Sequence, residues 1–121
     1  MTRTHTIALV TAGFGALISI SDFGGHTGGA KGAYNEFIPG FSTTTYDTRF
    51  YGGERAEIEI DGDNYSDLDL FVYDENGNLV ASDTDSLDFC YVAWVPKWTG
   101  NFRVQVVNVG SDANWYDIET N

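Results

Sequence analysis

The chain holds one cysteine, two prolines, two histidines and six lysine or arginine residues in 121 positions, and each scarcity removes a class of protein. A lone Cys90 forms neither an intrachain disulfide nor a cysteine-based zinc centre, so stability has to come from packing, from a hard metal or from assembly. Six cations against 18 acidic residues leave a net charge of -12, which repels phosphate backbones and anionic lipid. The cations are too scattered to build a local basic patch, so nucleic acid and membrane surfaces are excluded as partners. Both histidines, His5 and His26, lie outside the strand-rich part of the chain. No G-x-S-x-G, H-E-x-x-H or phosphate-loop spacing occurs, and the chain is therefore read as no enzyme. The longest apolar stretch, about 14 residues from Ile7 to Ile20, is too short to span a bilayer.

What is present is enough for one folded domain, since 42% of the residues are hydrophobic and 15% aromatic. The charge is unevenly placed. Residues 1–40 hold Asp22 and Glu36 against Arg3 and Lys31, so the whole of the -12 falls on the remainder. The apolar stretch has two readings. A basic start followed by an apolar run and the small residues Ser19 and Ser21 makes a secretory signal. Alternatively Ala8, Val10, Ala12, Phe14, Ala16, Ile18 and Ile20 form one period-two apolar set, an extended strand, with Gly13 and Gly15 weighing against a helix. Residues 22–41 follow as a glycine-rich linker, ending in a turn at Pro39-Gly40.

From residue 42 onward the apolar residues alternate. Ala56, Ile58 and Ile60 are separated by Glu57 and Glu59; Leu68, Leu70 and Val72 by Asp69 and Phe71; Phe102, Val104 and Val106 by Arg103 and Gln105. Such alternation marks half-buried strands. Further strands are expected at residues 44–51, 79–82, 90–95 and 115–119. Turn sequences separate them, the strongest being Asn76-Gly77, because a tight hairpin turn needs positive φ at both central positions. About seven or eight short strands at this spacing predict an all-β fold, an antiparallel β-sandwich of jelly-roll or immunoglobulin-like type, with an extended N-terminal segment.

The run FYGGERAEIEIDGDNYSDLDLFVYDENGNLVASD, then VAWVPKWTGNFRVQVVNVG and the final NWYDIETN, resembles the bacterial pre-peptidase C-terminal (PPC) domain over about residues 42–121. The most specific pieces are Asp67-Leu68-Asp69-Leu70 with Tyr73-Asp74, Trp98-Thr99-Gly100 and Val106-Val107-Asn108. The resemblance implies a small β-sandwich, an accessory rather than catalytic role, an extracellular setting and, as in some members of that family, calcium.

Three sets of candidate residues follow. Asp61, Asp63, Asp67, Asp69, Asp83 and Asp85, with Asp74 and Asp88 nearby, fall in or beside loops that a sandwich can gather at one end, and a hard cation takes six to eight oxygen ligands, so calcium is the candidate cofactor. The same residues also suit turns and solubility. Trp94 and Cys90 share a face with Val92 and are read as core. Phe71, Tyr73 and Tyr91 fall on the polar side of their strands, which marks a surface covered by another subunit or by a glycan, or else by the protein's own loops. Asn64-Tyr65-Ser66 is an N-glycosylation sequon.

The function expected from these features is that of a non-catalytic structural protein of the extracellular space or cell surface. It is a self-assembling filament subunit whose residues 6–20 add as a donor strand to the sandwich of another copy, tethered by residues 22–41. The alternative is a secreted, calcium-dependent binding module for a polysaccharide or matrix protein.

Overall fold

The computed structural model describes residues 7–11, 16–20, 31–63 and 66–121, with side chains from residue 32 onward. Ten strands occur among the described residues: β1 (Ile7–Thr11), β2 (Ala16–Ile20), β3 (Lys31–Ile38), β4 (Thr43–Phe50), β5 (Ala56–Gly62), β6 (Leu68–Tyr73), β7 (Leu79–Asp83), β8 (Phe89–Trp94), β9 (Gly100–Asn108) and β10 (Asn114–Thr120). They form two sheets, one ordered β1-β2-β4-β9-β6-β7 and one ordered β3-β10-β5-β8. Pairing is antiparallel throughout except between β2 and β4, which run parallel. The expected all-β sandwich is therefore the fold.

Alternation in the sequence becomes alternation in burial. In β5 the residues Ala56, Ile58 and Ile60 face inward, in β6 Leu68, Leu70 and Val72, and in β9 Phe102, Val104 and Val106. Together with Tyr46, Phe50, Cys90, Val92, Tyr116 and Ile118 they make one core between the sheets. Trp94 packs against that core, its ring 4.9 Å from Phe50 and 5.8 Å from Phe102. The chain turns at Asn76-Gly77, but not as the two-residue turn expected: only Gly77 has positive φ, at 84°, and the hydrogen bond from the Asp74 N–H to the Asn78 carbonyl closes a loop of Glu75, Asn76 and Gly77. Asp74 holds it by accepting hydrogen bonds from the backbone N–H groups of Asn76 and Asn78, which keeps its carboxyl below the usual carboxylate range.

Two expectations about the N-terminal third need correction. Residues 31–38, read as linker, are strand β3, paired with β10 and contributing Ala33 and Ile38 to the core. The single strand expected over residues 6–20 is two strands, β1 and β2, which pair with each other; β2 then adds to β4 of the same chain, with Ile18 opposite Thr44 and Ile20 opposite Tyr46. Ala8 and Val10 lie in β1, and Ala16, Ile18 and Ile20 in β2. Ala12 and Phe14, like Asn64 of the sequon, lie outside the described residues. A strand already hydrogen-bonded within its own sheet has its backbone groups satisfied there, so β2 is no free donor for a neighbour.

A pair of tyrosine hydroxyls meets across the core. The hydroxyls of Tyr46 on β4 and Tyr116 on β10 meet at 2.7 Å, both side chains being buried. Burial pushes the Tyr116 phenol well above its ordinary value, so that hydroxyl stays neutral. The Thr44 hydroxyl also bonds Tyr116, so removing one tyrosine hydroxyl weakens a small buried network, and the second removal has less left to break. Tyr116→Phe should accordingly cost about 1–2 kcal/mol in urea denaturation, and the Tyr46→Phe, Tyr116→Phe double variant should lose less than the two single changes added together.

Candidate protein-binding surface

The outer face of the four-stranded sheet carries a pattern that single strands do not reveal. On β5 the outward residues are Glu57, Glu59 and Asp61; on β10 they are Trp115, Asp117 and Glu119; on β8 they are Phe89, Tyr91 and Ala93. Register sets Asp117 directly opposite Asp61, and Glu119 directly opposite Glu59. Phe89 and Tyr91 continue those two rows on β8. On the other side Phe37 of β3 pairs with Trp115, their rings 4.9 Å apart and tilted by 58°. Five carboxylates thus lie between two aromatic borders whose members, Phe37, Trp115, Phe89 and Tyr91, are all between 41% and 48% exposed.

Like charges directly opposite across a ladder destabilise a sheet, and this face holds two such pairs in succession. The partners available to the carboxylates are few. Arg55 lies 3.8 Å from Glu57 and donates to the Tyr91 hydroxyl, which in turn donates a short hydrogen bond to Glu57. Asp117 accepts from the backbone N–H of Asn35 at 2.7 Å. The face therefore presents concentrated negative potential framed by flat apolar rings, a combination that attracts a basic protein surface and gives it apolar area to rest on.

The residues singled out from the sequence are distributed differently. Tyr91 belongs to this face, but Phe71 and Tyr73 are half-buried on β6 of the other sheet, on the opposite side of the sandwich. Tyr73 lines a polar groove of about 680 Å³ with Asp47, Asp74 and Arg103. Among the six aspartates proposed for calcium, Asp61 and Asp63 sit at the end of β5, where Asp63 accepts a hydrogen bond from the backbone N–H of Trp115. Asp69 lies on β6 and Asp83 on β7, with Asp67 and Asp85 in the loops beside them. Asp83 and Asp85 spend carboxylate oxygens on the backbone N–H groups of Tyr91, Asp85 and Leu87. Among the described residues no three histidine, cysteine, aspartate or glutamate side chains are placed to hold one metal ion. Cys90, buried and donating its thiol to the Leu68 carbonyl at 3.0 Å, is structural, and burial pushes that thiol far up.

The second acidic group has its own electrostatics. Desolvation first, and then Asp67, Asp83 and Asp85, raise the Asp69 carboxyl from 3.8 to about 6. The folded protein then binds more protons than the unfolded chain between about pH 4 and pH 6, and the stability tied to this group falls as pH rises through that window. Asp69→Asn should remove the fall. In metal-free buffer it should flatten the melting temperature between pH 4 and 6 and stabilise the protein at pH 7 by about 1 kcal/mol, once solvent screening of a part-exposed carboxylate is allowed for.

Comparison with known proteins gives likeness of fold. No family model matches the chain, and no curated protein matches it in sequence. Among solved structures it is similar to the crystal structure of Aeromonas hydrophila PliG, a periplasmic lysozyme inhibitor of g-type lysozyme, with TM-score 0.66 and 11% identity over 88% of this chain and 97% of that one. It is also similar to the pre-peptidase C-terminal domain of collagenase from Bacillus anthracis, with TM-score 0.56 and 12% identity over 88% and 94%. The chain thus has a PPC-like fold, as its motifs suggested. The expectation of a self-assembling filament subunit is corrected: the similar fold is that of an inhibitor that binds another protein, and the strand meant for exchange is paired at home. Among the described residues no helix is long and apolar enough to cross a membrane.

Proposed function

We propose that this chain is a non-catalytic binding module of the periplasm or cell exterior that docks the outer face of its four-stranded sheet onto a protein with a basic surface, in the manner of an inhibitor. The observation that carries the reading is the pair of like-charge ladders, Asp61 opposite Asp117 and Glu59 opposite Glu119, held between the exposed aromatic borders. A partner's lysine and arginine side chains relieve the repulsion on contact, so binding and the relief of strain in the sheet act together. The inhibitor of g-type lysozyme with a similar fold supports a protein as the partner, and makes g-type lysozyme the first to try.

The test is a titration of g-type lysozyme activity with the purified protein, with c-type lysozyme as comparator. Inhibition that weakens as salt is raised supports the reading, since charge-steered association is screened by salt. Full lysozyme activity in the presence of a large excess of the protein, with no binding in calorimetry, overturns it. The variant Glu59→Lys, Asp117→Lys replaces both repulsive pairs by attractive ones; it should melt at a higher temperature than the parent and bind about tenfold more weakly. An unchanged affinity would place the contact elsewhere on the molecule.

Calcium is proposed as a separate feature, supported by one observation. Asp67 and Asp69 each keep one buried carboxylate oxygen without a hydrogen-bond partner, and a hard cation takes such oxygens. Treatment with EDTA should lower the melting temperature, with recovery on adding calcium; a melting temperature unmoved by complete chelation removes calcium from the account.

A further inference from the structure

The chain passes from the four-stranded sheet to the six-stranded sheet through the corner Pro39-Gly40-Phe41-Ser42, between β3 and β4. Phe41 there has φ 57°, in the left-handed region, while its side chain is 57% exposed. For a bulky residue this conformation is unfavourable and is kept only where the surroundings over-determine it. The other described residues with positive φ are easily accounted for. Gly53 and Gly77 carry no Cβ, and Asn35 is of a type that visits this region readily.

The corner is held from several sides. The N–H of Phe41 donates to the Gly110 carbonyl at 2.9 Å, and the N–H of Asn108 to the Ser42 carbonyl at 2.8 Å. The Asn108 side-chain amide, fully buried, reaches the carbonyls of Pro39 and Asp112 at 3.2 and 2.8 Å, and its oxygen accepts from the N–H of Gly110. Glycine stands where space requires it: a Cβ on Gly40 would meet the Ser111 carbonyl oxygen at 2.1 Å. The next position is where the backbone would favour glycine, and there the sequence has phenylalanine, facing water. Neither its packing nor its backbone explains an aromatic ring at that place.

We infer that Phe41 is an anchor residue for the protein partner, inserted into an apolar pocket beside that partner's basic surface. The inference rests on the binding function proposed above and names the residue that gives the contact its hold. Anchors of this kind are typically aromatic, and a backbone already fixed in its bound shape loses little freedom on binding. Phe41 also lies close along the chain to the acidic face, since Phe37 and Trp115 at its border belong to the strands that enter and leave this end of the sandwich. Charge complementarity therefore commits the occupant to a basic protein.

The experiment compares Phe41→Gly, Phe41→Asn and Phe41→Trp with the parent protein, each measured by calorimetric titration with g-type lysozyme and by thermal melting. Glycine and asparagine suit the left-handed backbone, so both variants should hold or raise the melting temperature while weakening binding by tenfold or more, about the loss expected of a hot-spot residue. Tryptophan should retain binding within a few-fold. If the parent binds and the glycine and asparagine variants bind within tenfold of it, this inference fails and the binding function stands. If binding and melting temperature fall together in both, Phe41 is a structural residue and the inference also fails. If the parent itself does not bind, the function proposed above and the anchor fall together.

Discussion

Each sheet of this sandwich has to bury one face, and a chain of net charge -12 has to place its acids on the other. That constraint produces the acidic surface without any local preference for clustering. In β5 Ile58 and Ile60 alternate with Glu57, Glu59 and Asp61, in β10 Tyr116 and Ile118 alternate with Asp117 and Glu119, and setting Ile118 opposite Ile60 brings acid against acid at the positions on either side. The magnitudes show which effect prevails. A fully buried isoleucine is worth roughly 1.5–3 kcal/mol, whereas an unfavourable cross-strand pair costs roughly 0.2–1 kcal/mol. Ile58, Ile60 and Ile118 are completely buried on the inner side of the same strands, so the repulsion outside is tolerated and the register is kept.

Two of the polar side chains enclosed by the fold, Asn108 and Asn114, serve its corners. Asn108 binds the β3–β4 corner to the loop after β9, and Asn114 joins the start of β10 to Ser66 and Asp88 at 2.8 and 3.1 Å. Both amides are fully buried. An unmet amide in that position costs about 1–3 kcal/mol, which makes each network strongly selective for one loop geometry. Rigid corners are what allow a residue such as Phe41 to remain in an unfavourable conformation.

Strands with regular alternation were legible from the sequence. The bounds of β6 follow directly from Leu68, Leu70 and Val72, and those of β5, β8, β9 and β10 lie within two residues of expectation. Strand β3 was illegible for a definite reason. Its inward residues Ala33 and Ile38 are five positions apart, an odd number that period two forbids, because Asn35 adopts positive φ and the register with β10 shifts between Tyr116 and Ile118. The glycines preceding it completed the appearance of a linker. The candidate surface was hidden for a different reason: alternation separates inside from outside but does not say which strands are neighbours. Phe71 and Tyr91 both read as outward and are outward, yet on opposite sides of the molecule, and no signal within β5 or β10 alone could have set Glu59 against Glu119. In the same way Pro39-Gly40 announced a turn, but the approach of Ser111 that leaves no room for a side chain at Gly40 comes from a loop some 70 positions away.

In the proposed complex the two features have separate effects on rate and lifetime. A field from five surface carboxylates acts over roughly a Debye length of 8–10 Å, so it speeds the encounter and orients it, while contributing little to the hold once salt screens it. A single aromatic side chain in a matching pocket does the opposite: it is felt only at contact and governs how slowly the partners separate. Loss of the charge pattern should therefore appear mainly in association and its salt dependence, and loss of the ring mainly in dissociation. A surface with the acids alone would bind any basic protein weakly. It is the fixed position of the ring beside them, set by the corner at Asn108, that would make the contact selective.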